Sequence, residues 1–121
     1  MRFTLSSSTL ASKLGTLAKV INNGTAQLKG NTTITTLQNE ISTATVTTEG
    51  TTIIDYVTNE GQIDTNGTNT FKTIENSNKI NFVGINTVNT SFTNTANAEL
   101  TANNTTTNAT KNFLTLKPSF S

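Results

Sequence analysis

The chain opens on a mixed pattern. Phe3 and Leu5 alternate with Arg2 and Thr4, as in a half-buried strand from Arg2 to Leu5. Leu10, Leu14, Leu17 and Ile21 then recur at spacings of four, three and four, with Ala11 and Ala18 beside them. That spacing is one apolar stripe of an α-helix. Thr9, Ser12, Lys13, Thr16 and Lys19 fall on the opposite flank. Ser6, Ser7 and Ser8 are candidate N-caps, and Gly24 is a natural stop in the left-handed conformation. The pattern predicts a helix from the serine cluster to Asn22, its stripe forming core.

Past Gly24 the alternation is short and broken by Asn and Gly. Thr33 to Leu37, Ile41 to Thr47, Thr51 to Val57 and Gln62 to Thr65 read as strands of a meander. Turns are expected at Gln38–Asn39, Glu49–Gly50 and Asn59–Glu60–Gly61. Phe71 and Ile74 stand three apart, which predicts a short second helix within residues 67–76. Its Thr, Asn and Gly each cost a few tenths to about 1 kcal/mol against Ala. Ile80 to Ile85, Asn89 to Thr93, Ala96 to Ala102 and Lys111 to Leu116 read as further strands. No fixed repeat period emerges; the nearest internal echo is Asn23-Gly24-Thr25 against Asn66-Gly67-Thr68.

Composition sharpens this picture. A chain of 121 residues fits a single domain, 1–121. Only 32% of residues are hydrophobic, so Thr methyl groups must share the packing. Charged residues are 12%, which departs from the high-charge signature of disorder, and Thr on pleated surface with Asn in turns favours a β-rich fold. With no Cys and no His, disulfides, thiolate metal sites and the commonest general base are all excluded. Glu60 and Asp64 lack the dense ligand spacing of a calcium loop, and no Gly-Lys-Ser/Thr follows Gly61 or Gly67. An enzyme, a cofactor and a small-molecule substrate are therefore not expected. The sequons Asn23-Gly24-Thr25 and Asn103-Asn104-Thr105 are expected by chance from so much Asn and Thr. The apolar residues of the N-terminus are too interrupted for a signal peptide, and no run approaches a membrane span. A cytoplasmic location is the simplest expectation. Net charge is +1, but Arg2, Lys13, Lys19 and Lys29 all precede the first acid, Glu40.

The opening Met1-Arg2-Phe3-Thr4-Leu5, Ser6-Ser7-Ser8, and then Leu10, Leu14, Leu17, Val20, Ile21 and Asn22, resembles a known family. It is similar to the N-terminal domain of the bacterial DNA polymerase III β subunit, the sliding clamp. The likeness is specific over residues 1–22 and continues thinly through residues 47–52, Gly61-Gln62-Ile63, Asn112-Phe113 and Pro118. It implies an α+β, DNA-clamp-like domain with two helices packed on antiparallel β-sheet. It also implies a non-catalytic processivity factor of DNA replication. Lys13, Lys19 and Lys72 would touch DNA through polar helix faces. The implied partners are double-stranded DNA, bound weakly and without sequence preference, and further clamp domains or a second chain for ring closure. Departures include Thr25-Ala26-Gln27-Leu28-Lys29 at the strand entry and Thr47 at an acidic position. Two other readings stand beside it. One is a Thr/Asn-rich extracellular β-solenoid, such as an adhesin, tail fibre or ice-binding ladder. The other is an artificial or drifted clamp-like fold without activity.

Overall fold

The computed structural model describes residues 2–5, 9–12, 15–95, 98–102 and 117–118. All regular structure among them is strand. The strands are β1 (Arg2–Leu5), β2 (Thr9–Ser12), β3 (Gly15–Asn22), β4 (Thr25–Asn39), β5 (Thr45–Asn59) and β6 (Gln62–Thr65). They continue as β7 (Thr68–Asn76), β8 (Lys79–Phe82), β9 (Ile85–Asn94), β10 (Glu99–Ala102) and β11 (Lys117–Pro118). Every pairing among them is parallel. Parallel neighbours need a long return path. Here the path is a full coil, so that each rung stacks on the one before and the chain forms a β-solenoid.

Each rung has three flat segments. In the rung of β4, residues 25–28 form the first face, 31–34 the second and 36–39 the third. Within each segment side chains alternate inward and outward, and the alternation slips phase at two corners. The first corner is marked by Gly30, Gly50, Gly67 and Gly84. At the second, Thr35 and Asp55 lie opposite each other without entering the ladder, which pairs Ile34 with Ile54 and then Thr36 with Tyr56. The chain leaves each rung at a third corner, after an Asn.

Stacking places like residues in columns about 4.8 Å apart. Ala26, Val46, Ile63, Ile80 and Leu100 make one buried column. Leu17, Ile34, Ile54, Phe71 and Val88 make a second, and Val20, Leu37, Val57, Ile74 and Phe92 a third. The later rungs fill the core with aromatic rings, one from each face. Phe82 stacks on Phe71 with ring centroids 5.9 Å apart and meets Phe92 edge-on at 5.8 Å. Full burial of each such side chain contributes roughly 1.5–3 kcal/mol.

The glycine corner is closed by steric contact. A Cβ on Gly67, whose φ is 75°, would lie 2.3 Å from the Gly50 carbonyl oxygen, and one on Gly84 would lie 2.2 Å from that of Gly67. Only hydrogen fits where these backbones pass.

The expected α+β domain with two helices on antiparallel sheet is thus corrected. The first predicted helix is β2 and β3, and the second is β7. One feature accounts for the second error and contributes to the first. Where a rung turns from its second face to its third, two extended segments meet with one residue skipped. Leu17 and Val20, like Phe71 and Ile74, therefore both point inward although they stand three apart. A period of two with a phase slip imitates a helical period. The meander is also corrected: Glu49–Gly50 is a corner, not a hairpin, and residues 41–44 belong to a connector. Gln62 to Thr65 is a strand as expected. The predicted strand at Lys111 to Leu116 lies outside the described residues.

Candidate functional site: the asparagine ladder and the outward faces

Asn22, Asn39, Asn59, Asn76 and Asn94 end successive rungs, and all are fully buried. Buried amides must be hydrogen-bonded or they destabilise the fold. Here they bond to one another. Asn22 Nδ2 donates to Asn39 Oδ1 at 2.8 Å, Asn39 Nδ2 to Asn59 Oδ1 at 2.8 Å, Asn59 Nδ2 to Asn76 Oδ1 at 2.9 Å, and Asn76 Nδ2 to Asn94 Oδ1 at 2.9 Å. The same nitrogens reach backbone carbonyls, with one N–H shared. Asn59 Nδ2 donates to Gly61 O at 3.0 Å and Lys79 O at 2.9 Å, and Asn39 Nδ2 to Ala44 O at 3.1 Å and Gln62 O at 3.2 Å. Asn59 Oδ1 also accepts from the Gly61 amide at 3.1 Å, an Asx-type turn that starts the next rung.

A second buried polar column runs beside the glycine corner through Thr32, Thr52, Asn69 and Asn86. Thr48 Oγ1 donates to Asn69 Oδ1 at 2.7 Å and Thr65 Oγ1 to Asn86 Oδ1 at 2.6 Å. These bonds tie the first face to the second across the corner.

The outward columns differ in chemistry. The first face presents Thr25, Thr45, Gln62, Lys79 and Glu99 in one column, with Asp64 in the next. The third presents Lys19, Thr36, Tyr56 and Thr73 in one column, with Glu75 in the next. The second face presents Asn31, Thr51, Thr68 and Ile85 beside Thr16, Thr33, Ile53, Thr70 and Thr87. None of those nine is charged. Lys29 and Glu49 sit just before the glycine corner, Asp55 and Lys72 at the next corner, and Glu40 and Glu60 on the connectors.

Of the lysines expected at a DNA surface, the two that lie among the described residues stand apart. Lys13 lies outside the described residues. Lys19 is half-buried on the third face, paired with Thr36. Lys72 is exposed at a corner, adjoining Thr73 of the same column but three layers on. Three layers are about 14 Å. With no helix among the described residues to carry them, Lys19 and Lys72 share no one flank. Among the described residues, no group of three or more Asp or Glu is placed to hold a metal ion. Sequence reasoning missed the ladder. Its signal was a buried-type strand ending in Asn at each rung.

The chain matches no known family, no curated protein and no solved structure.

Proposed function

We propose that the chain is a structural β-solenoid, a stiff non-catalytic shaft of the kind used in extracellular fibres and adhesins. The observation that carries this reading is the asparagine ladder, in which each amide bonds directly to the next from Asn22 through Asn39, Asn59 and Asn76 to Asn94. Such ladders add to stability along one axis, the geometry of a rod under load rather than of a cleft. Solenoid stability is close to a sum of rungs and their nearest-neighbour interfaces, which suits a shaft of variable length. The α+β fold that a replication clamp, active or drifted, would need is replaced by strands, so that reading has no support from the fold. The test is immunogold electron microscopy on the source cells or particles with antibody to the purified chain. Label on an external appendage or fibre supports the proposal. Label confined to the cytoplasm or nucleoid refutes it.

A further inference from the structure

We propose that the second face of the solenoid binds an ordered lattice of water, the surface of ice. The motivating asymmetry is chemical. Charged side chains sit on the first and third faces, the corners and the connectors, whereas the second face has none among its described positions. Eight of its nine outward positions are Thr or Ile, and the ninth is Asn31. Thr and Ile are β-branched and stiff about χ1, so a column of them repeats one orientation. Thr33, Thr51 and Thr68 are exposed and Thr70 and Thr87 half-buried, with Ile53 and Ile85 continuing the two columns. Each Thr offers a methyl group and a hydroxyl that both donates and accepts.

Geometry supplies the second argument. Across this face the register is unbroken, the one shift in β9 falling beyond it between Phe71 and Thr73, so the columns are periodic, and side-chain ladders favour an untwisted sheet. Layers repeat every ~4.8 Å, and alternate residues along a strand every ~6.7 Å. In a tetrahedral water lattice with O–H···O contacts of about 2.75 Å, second-neighbour oxygens are about 4.5 Å apart. The column repeat is close to that distance. Waters bridging hydroxyls in one column are thus held near lattice spacing, while the methyl groups and the lack of charge leave no competing hydration shell.

Other occupants fit less well. Sugar rings favour aromatic platforms, and Tyr56 stands on the third face, not this one. A second copy of the chain would find a face on the order of 250 Å², far below the ~800 Å² per partner of a stable interface.

The test is ice recrystallisation inhibition and ice-crystal shaping by the purified chain, with polycrystalline ice in buffer as the probe. Thr70→Lys and Thr51→Lys place a charge on the second face; Thr47→Lys places one on the first. Far-UV circular dichroism and melting confirm that each variant is folded. The expected result is activity in the parent and in T47K, and its loss in whichever second-face variants fold. An inactive parent overturns the proposal. So does equal loss in T47K and T70K, parent activity retained in both second-face variants, retention on cellulose powder without effect on ice, or concentration-dependent dimerisation blocked by T70K.

Discussion

Truncating one rung of the ladder gives a direct test of what holds the coil together. Asn59→Ala removes an amide whose Nδ2 donates to Gly61 O, Asn76 Oδ1 and Lys79 O, and whose Oδ1 accepts from Asn39 Nδ2 and the Gly61 amide. Several partners keep a second bond. Asn39 Nδ2 retains Ala44 O and Gln62 O, Asn76 Oδ1 retains the Asn78 amide, and Gly61 O retains the Lys79 amide at 3.1 Å. The buried Gly61 N–H loses its partner. Two ladder bonds at about 1 kcal/mol each, plus ~1–3 kcal/mol for the orphaned donor, give a loss of roughly 3–5 kcal/mol.

Against a typical total of about 5–15 kcal/mol that is a large fraction, and it lowers the melting midpoint by roughly 10–20 °C. The assay is urea unfolding followed by far-UV circular dichroism, comparing midpoints at unchanged slope. Asn23→Ala is the control. Its amide nitrogen makes an exposed contact with Glu40 Oε1 at 3.2 Å, so its removal should cost less than about 0.5 kcal/mol. If N59A unfolds within about 1 kcal/mol of the parent, or no earlier than N23A, the ladder is not a principal source of stability and the apolar columns alone hold the coil.

Two further outcomes are expected. Gly67→Ala should fail to reach the folded state or lose several kcal/mol, because its Cβ would sit 2.3 Å from Gly50 O, whereas Gly15→Ala, with φ of 73° but nothing within 4 Å, should lose only about 1–2 kcal/mol. Thermal melting of the pair separates steric closure from backbone preference. A short Gly/Ser insertion after Ser42, in an exposed connector, should leave the melting midpoint nearly unchanged, while the same insertion after Ile54 should abolish cooperative unfolding.

Much of the strand content is legible in the residues, and the coil is not. Thr and Asn enrichment points to a β-rich chain, and Gln62 to Thr65 is a strand by pattern and by structure. The repeat stays hidden because one connector, 40–44, is longer than the others and β9 carries one extra residue at the second corner, where the register shifts between Phe71 and Thr73. Successive corner glycines at 30, 50, 67 and 84 are spaced 20, 17 and 17, and successive ladder asparagines at 22, 39, 59, 76 and 94 are spaced 17, 20, 17 and 18. Neither series keeps one period, although residues 25–39, 45–59 and 62–76 align without a gap. The Asn-Gly-Thr echo joins unlike places: Gly24 lies on a connector after an asparagine, and Gly67 at the glycine corner. The apparent second helix arises from the phase slip at the second corner, which sets Phe71 and Ile74 three apart. The cation positions carry no usable signal, since Lys19 and Lys72 acquire a shared location only if a helix or a column gathers them.

Variable connectors raise a physical question, because an inserted loop should shift every later pairing by its own length. The ladder prevents this. Each amide nitrogen grips the last carbonyl of its own connector, Gly24, Ala44, Gly61 or Asn78, and the first carbonyl of the rung beyond the next one's connector, Thr45, Gln62, Lys79 or Glu99. The connector at 40–44 is longer than those at 23–24, 60–61 and 77–78, yet the contacts at its ends are the same. Asparagine suits the position because one short side chain supplies two donors and an acceptor in a plane. Asp would lack the donors, and Gln would place the same groups one methylene too far from the turn. Register is therefore set at the ends of a rung and not by the residues between rungs, so loops of different length can leave from a single edge while the three faces stay in step.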